Sequence, residues 1–263
     1  MRTPSIRANN PTAAPVFPVV PELLTGDKVR GAPGGAFLGI LMLQTRFPRL
    51  PGDIGHAGSF PVPTRQLVVA GATPGSVVRD AADLRGSGLV ERFAAAARQL
   101  EAQGAAAITT SCGFLVLFQR ELQAAVHVPV VTSSLAMLPP LLAAGRQAGV
   151  LTISAGRLGP AYLAAAGVPR ERLAAIPVEG IAADSHFATA ILGDRPHFDP
   201  DQAAADVVAA ALRLQRRAPD LDTLVLECTN LPPYAARIEQ ATGWRTVSLL
   251  QCETLLAPFG AGS

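Results

Sequence analysis

The sequence predicts an α/β fold: two α/β domains related by a pseudo-twofold axis, with mostly parallel sheets and an active site in the cleft between them. Three observations predict it. Short apolar runs such as Phe37–Leu43 (FLGILML) and Gly149–Ile153 (GVLTI) alternate with helical stretches such as Gly88–Gln103, the pattern of strands joined by crossover helices. The run of elements occurs twice: 74 residues separate Leu38 from Cys112 and 78 separate Val150 from Cys228. Each copy carries its cysteine at the end of an apolar strand and before a helix, which is where ligands sit in parallel sheets.

Residues 1–33, rich in Pro, Asn and Thr, read as an irregular N-terminal arm. They lack a charged region followed by an apolar one and make a poor signal peptide. Phe37–Leu43 is apolar throughout, as a central strand buried on both faces must be. Gln44, Thr45 and Arg46 follow at its carboxyl end. Phe47–Pro63, dense in Pro and Gly, is a long irregular loop of the kind that often carries function. Gln66–Ala70 is a second strand. Leu89, Phe93, Ala96, Ala97 and Leu100 recur at helical spacing, and Gly104 ends that helix. Ala105–Thr109 is the strand that leads to Cys112, and Phe114–Ala125 is the helix after it. His127–Val131 ends on Thr132-Ser133-Ser134, hydroxyls suited to cap a helix from Leu135.

The second half repeats the order. Gly149–Ile153 is a strand, Arg157–Ala166 a helix and Ala174–Val178 a short strand. Loop and helix pieces follow, with Asp184, Ser185 and His186. Asp199-Pro200-Asp201-Gln202 opens a helix to Arg217: Asp caps, Pro takes the first position and Gln closes a capping box. Leu221–Leu226 leads to Cys228. Leu231–Ala241 is a helix, Thr246–Leu250 a strand and Gln251–Leu256 a short closing helix. The expected first domain is 34–134 plus 246–263, and the second 135–245.

Composition narrows the function. Apolar residues are 49% and aromatics 5%, so the core is mostly Ala, Leu and Val. A net charge of +2 without a basic run gives no case for nucleic acid. No apolar run approaches the roughly 20 residues that cross a bilayer. Three cysteines in 263 residues argue against a disulfide framework and fit a reducing cytoplasm. The four histidines are far apart and no Cys/His cluster exists, so no metal is expected. The oligomeric state stays open, a homo-oligomer included. Gly31–Gly35 (GAPGG) precedes a strand where a phosphate loop would follow one, which argues against a nucleotide site.

A lone free cysteine is usually a buried apolar residue, and Cys252 reads that way. Matched places in two repeats argue differently for Cys112 and Cys228. Facing each other across one pocket, a thiolate and a thiol can remove a proton from a carbon acid on one side and return one on the other, with no cofactor. Helix N-termini favour the thiolate form. Backbone N–H groups at Gly113, Phe114, Thr229 and Asn230 are placed to stabilise an enolate. The Ser133-Ser134 turn, and Arg46 or Arg49 through its guanidinium, are placed to hold a substrate carboxylate. Glu227 is costly to bury unpaired, so it is either hydrogen-bonded or tunes Cys228. His186 is a weaker candidate, more simply a loop or surface residue.

Two motifs carry a family resemblance: T-T-S-C-G at 109–113 and E-C-T-N-L-P-P at 227–233. The chain resembles the aspartate/glutamate racemase superfamily from about Phe37 to Leu256. Its members typically show Asn-Thr-x-Cys-Asn/His and Gly-Cys-Thr-Glu/His-Leu-Pro. The resemblance implies two pseudo-symmetric α/β domains, catalytic Cys112 and Cys228, and a substrate contact at Thr229. The implied activity is a cofactor-independent racemase or epimerase of a small, amino-acid-like carboxylate working by two bases. Two alternatives use the same site: cis–trans isomerisation of a maleate-like acid with one cysteine as nucleophile, and a binding protein without turnover. Gly113 stands where many members have Asn or Thr, and Asn230 where His or Glu is common. Gln44-Thr45 replaces the Asp-Ser of glutamate racemases, which points away from glutamate.

Overall fold

The computed structural model describes residues 35–260; the expected N-terminal arm lies outside them. Two four-stranded parallel sheets form the frame. In the first, β1 (Phe37–Leu43), β2 (Thr64–Val69), β3 (Ala105–Thr110) and β4 (Val130–Val131) are ordered β2-β1-β3-β4. Helices α1 (Pro74–Val77), α2 (Ala81–Arg85), α3 (Leu89–Ala102), α4 (Gln119–Ala125) and α5 (Leu138–Ala143) accompany it. In the second, β5 (Ala148–Thr152), β6 (Val178–Gly180), β7 (Thr223–Leu226) and β8 (Arg245–Val247) are ordered β6-β5-β7-β8. Helices α6 (Pro160–Ala165), α7 (His186–Leu192), α8 (Pro200–Arg217) and α9 (Ala235–Thr242) belong with it, and α10 (Glu253–Leu256) is followed by a 3-10 turn over Ala257–Phe259. The strand orders are the same with each number raised by four, the topology of a duplicated unit.

Each element follows from its residues. Every side chain of β1 is buried, and a fully buried Leu or Phe contributes roughly 1.5–3 kcal/mol. The buried face of α3 is Leu89, Phe93, Ala96, Ala97 and Leu100, and α8 is capped by the Asp199 carboxylate, which accepts from the Asp201 and Gln202 N–H groups. One large core spans both halves, from Phe37 to Trp244. A smaller cluster on the other face of the first sheet takes in Leu38, Ile40, Leu249, Cys252 and Leu255. Cys252 is therefore a core residue of that second cluster.

Several expectations are corrected. Thr246 and Val247, expected with the first domain, pair with β7 in the second sheet. The segment beyond them does return to the first sheet, where α10 packs against β3 and β4. The strand expected at Ala174–Val178 is a 3-10 turn over Arg170–Ala175, with β6 starting at Val178. Pro177 has no N–H for a ladder, and only its carbonyl is used, by the Val150 N–H. His127–Val131 shortens to Val130–Val131 because the His127 and Val128 N–H groups donate to the Glu101 carboxylate instead. The helix expected from Phe114 begins as a buried 3-10 turn, Gly113–Phe118.

Candidate active site

Cys112 follows β3 and Cys228 follows β7, the third strand of each sheet, so both lie at carboxyl ends. Hydrogen bonds sew the two corners together. The Thr229 hydroxyl donates to the Ser111 carbonyl at 2.7 Å, the Ser134 hydroxyl to the Leu226 carbonyl at 2.7 Å, and the Ile54 N–H to the Thr229 carbonyl at 3.1 Å. Both cysteines line one small cavity that opens to solvent. Its apolar wall comes from Leu43, Phe47, Pro74, Val78 and Phe114 of the first half and Ile153 and Ile191 of the second. Its polar groups are Arg49, Ser111, Glu227, Thr229 and Asn230.

Arg49 is held from below. Its Nη1 lies 3.0 Å from Asp53 Oδ1 and its Nη2 donates to Thr45 Oγ1 at 3.2 Å, while its Cζ stacks 4.6 Å over the Phe47 ring. Its Nε is buried with no partner among the described residues. Asp53 is itself buried and also accepts from the Gly55 N–H at 2.7 Å and from Asn230 Nδ2 at 2.5 Å. The other end of Asn230 accepts from the Cys228 thiol at 3.7 Å. A chain of contacts thus runs from Arg49 through Asp53 and Asn230 to Cys228.

The thiols are not preformed thiolates. Burial, and then the charge of Glu227, push Cys112 up to about 12, against the Phe114 N–H and the charge of Arg49. The same two causes raise Cys228 well above the usual thiol range, opposed by the Asn230 N–H. The expected help from helix dipoles is small because Cys112 caps only a 3-10 turn. The Phe114 and Asn230 N–H groups point at the thiols themselves, not at a site for an enolate oxygen. Glu227 is 1% exposed. Its Oε2 accepts from Thr152 Oγ1 at 2.6 Å and its Oε1 has no partner among the described residues. Burial raises it to about 7.

Gly113 explains how that carboxyl fits. A Cβ at Gly113 would lie 2.3 Å from the Glu227 carbonyl oxygen and 2.4 Å from its Oε1. Only glycine leaves the space, so the small residue after Cys112 and the large one before Cys228 are complementary.

Of the residues singled out in the sequence, Cys112, Cys228, Gly113, Phe114, Thr229, Asn230 and Glu227 line the cavity. Six others do not. Arg46 is exposed and pairs with Asp194 at 3.1 Å. The Gln44 side-chain Oε1 accepts from the Gly71 N–H at 3.2 Å. Thr45 reaches the site only by supporting Arg49. Ser133 caps its own turn through the Leu135 N–H, and Ser134 is spent on Leu226. His186 accepts from the Asp199 N–H at 2.8 Å and stacks on Phe198. Sequence reasoning missed Asp53, whose only signal is an acidic residue within a Pro/Gly loop, and Thr152, a strand hydroxyl indistinguishable by pattern from any other.

The profile of the Asp/Glu/hydantoin racemase family matches residues 64–255. The chain belongs to this family. The dimethylsulfoniopropionate lyase of Durusdinium sp. clade D is 32% identical over 220 residues, 79% of this chain and 69% of that protein. Dimethylsulfoniopropionate lyase 5 of Emiliania huxleyi (strain CCMP1516) is 32% identical over 212 residues; the match covers 78% of this chain but only 41% of that protein. Among solved structures, unliganded arylmalonate decarboxylase superposes with a TM-score of 0.53 at 20% identity, over 87% of this chain and 94% of that one. A variant of the same decarboxylase in a sulfate-associated form gives 0.55 at 20% identity, over 86% and 94%. These structural likenesses establish a shared fold. The proteins so matched are enzymes of more than one reaction class, and among the described residues no helix is long and apolar enough to cross a membrane.

Proposed function

We propose that this racemase-family chain removes the α-proton of a small carboxylate substrate with its own side chains, and that the reaction is a β-elimination releasing dimethyl sulfide and acrylate from dimethylsulfoniopropionate. The observation that carries the reading is the cavity itself: two thiols and one unpartnered guanidinium N–H on a wall that also holds the Glu227 carboxyl and seven apolar side chains. Arg49 Nε takes the substrate carboxylate, preorganised by Asp53 and Thr45. Cys112 is the base once its thiol proton has passed to solvent at the open mouth of the cavity, and Arg49 and the Phe114 N–H both favour the thiolate so formed. It takes the proton from Cα, the C–H electron pair becomes the new double bond, and the C–S pair leaves with the sulfide. Cys228, held by Asn230, is the acid that faces the developing enolate. The identity to named lyases supports the leaving group.

The two-base amino-acid racemase is a second reading, favoured by the pairing of two thiols on one cavity. Both reactions begin with the same proton transfer and part at the β-carbon. Incubation of the purified chain with dimethylsulfoniopropionate, followed by gas chromatography for dimethyl sulfide, is expected to show release that Cys112→Ala abolishes. No release, together with deuterium gain at Cα of aspartate in deuterated water, would overturn the lyase reading in favour of racemisation.

A further inference from the structure

We infer that Asp53 is a positioning residue for the acid: by fixing which way round the Asn230 amide stands, it keeps the proton on Cys228 and so decides which of the two cysteines gives a proton and which takes one. The inference rests on the reading of Cys112 as base and Cys228 as acid, and names what separates them.

Asp53 is 3% exposed and its carboxylate is engaged at both oxygens. Oδ1 accepts from Arg49 Nη1 at 3.0 Å and from the Gly55 N–H at 2.7 Å. Oδ2 accepts from Asn230 Nδ2 at 2.5 Å. A carboxylate paired with a guanidinium has acceptors only, so the amide must turn its NH2 group to Asp53. Its Oδ1 is then left facing Cys228, 3.7 Å from Sγ, and an amide oxygen also only accepts. The sulfur at that contact therefore carries the proton. The Asn230 backbone N–H points at the same sulfur. With the amide reversed, its NH2 group would join that N–H, and both would favour the thiolate. Cys112 has the opposite surroundings, the Phe114 N–H and the charge of Arg49.

The loop that carries Asp53 is fixed against the Cys228 corner. The Ile54 N–H donates to the Thr229 carbonyl at 3.1 Å. Gly52 has a φ of +94°, and a Cβ there would lie 3.2 Å from Pro233 Cα, so glycine allows the close approach. The charged and titratable groups facing Cys228 are Glu227, Cys112 and Asp53, with Tyr234 beside Asp53 and Arg49 across the cavity. Asp53 is the one joined to the sulfur through a hydrogen-bonded amide.

Asp53 also holds Arg49, so turnover alone does not isolate this role, and the readout is the thiol. The rate at which iodoacetamide alkylates each cysteine of the full chain at pH 8 is followed by peptide mass spectrometry. Cys252, in the second core cluster, is the internal reference. In Asp53→Asn the new amide keeps its oxygen for Arg49 and Gly55 and offers NH2 to Asn230, which must reverse. Expected is a rise in the Cys228 rate relative to Cys252 of about tenfold or more, shrinking to less than about twofold when the same change is made in Asn230→Ala. The exchanged pair, Asp53→Asn with Asn230→Asp, restores an acceptor toward Cys228, which should then react no faster than in the unchanged chain. No rise in Asp53→Asn, an equal rise with Asn230 present and absent, or a faster Cys228 in the exchanged pair overturns the inference while leaving the proton-transfer reading intact. The exchanged pair decides the question even where Asp53→Asn alone does not fold. If the unchanged chain neither releases dimethyl sulfide nor gains deuterium at Cα, the acid role falls together with the reading of the site.

Discussion

The corner after β3 and the corner after β7 sit at equivalent places in two copies of one sheet, yet they are built differently. The first is Ser111-Cys112-Gly113-Phe114, buried and without charge, with an apolar turn behind it. The second is Glu227-Cys228-Thr229-Asn230, in which every neighbour of the thiol is polar and tied elsewhere: Glu227 to Thr152, Thr229 to Ser111, Asn230 to Asp53. Duplication supplied the symmetric placement of two thiols. The asymmetry is in the side chains around them, and it separates a cysteine favoured by Arg49 from one held by Asn230. A symmetric scaffold therefore does not imply symmetric chemistry.

Substitutions at the thiols test that contrast with the largest expected effect. Cys112→Ala should lower turnover by about 10²–10⁴-fold, as measured by sulfide release, while Cys228→Ala should cost less if it only assists an elimination. Equal losses would return the two corners to equal roles. Next comes the charge of the second corner. Glu227 ionises at 4.5 ordinarily and at about 7 in the fold, so between those values the folded chain binds more protons than the unfolded one. Stability from this residue falls as pH rises through the window, by on the order of 3 kcal/mol in full. Urea melts at pH 4.5 and pH 8 should show Glu227→Gln gaining on the unchanged chain at the higher pH; identical pH profiles would sink the claim of a buried ionising carboxyl.

Arg49→Lys keeps a charge but loses the fork that Asp53 and Thr45 hold. Losing a charged hydrogen bond of about 1.5–3 kcal/mol predicts kcat/KM lower by roughly ten- to a hundredfold, read from initial rates. Gly113→Ala forces a Cβ onto Glu227 and should cost about 1–3 kcal/mol by thermal melting. Adding Glu227→Gly should recover only part, since the Glu227 carbonyl oxygen is as close as the carboxyl. Smallest is Arg46→Ala. That exposed pair with Asp194 is worth about 0–1 kcal/mol, and activity should not change.

How far the sequence reached depends on what kind of information each residue carries. Strand β1 and helix α8 were legible because their signals are local: a wholly apolar run, and an Asp cap with Pro behind it. The cysteine pair was legible because two spacings and two motifs agreed. Arg46 and Arg49 were not separable, since both lie in one loop and only the buried partner Asp53 turns the second of them inward. Ser133 and Ser134 had the right chemistry for an anion, but their hydroxyls are consumed by Leu135 N–H and the Leu226 carbonyl. Gly113 stands where many family members have Asn or Thr; against Glu227 only a glycine fits.

By itself, then, the sequence determined the repeated α/β unit, the family and the placement of Cys112 and Cys228, because periodicity, caps and motif spacing are properties of neighbours along the chain. Only the tertiary structure decided which arginine faces the cavity, which hydroxyls are already spent, and that the Glu227 carboxyl is hydrogen-bonded at one oxygen and buried without a partner among the described residues at the other. Several of these depend on hydrogen-bond partners brought from more than seventy residues away, as Leu226 is to Ser134 and Thr152 is to Glu227; even the short-range Arg49–Asp53 pair is tied into the site by the Asn230 amide that donates to Asp53, and no local pattern encodes that.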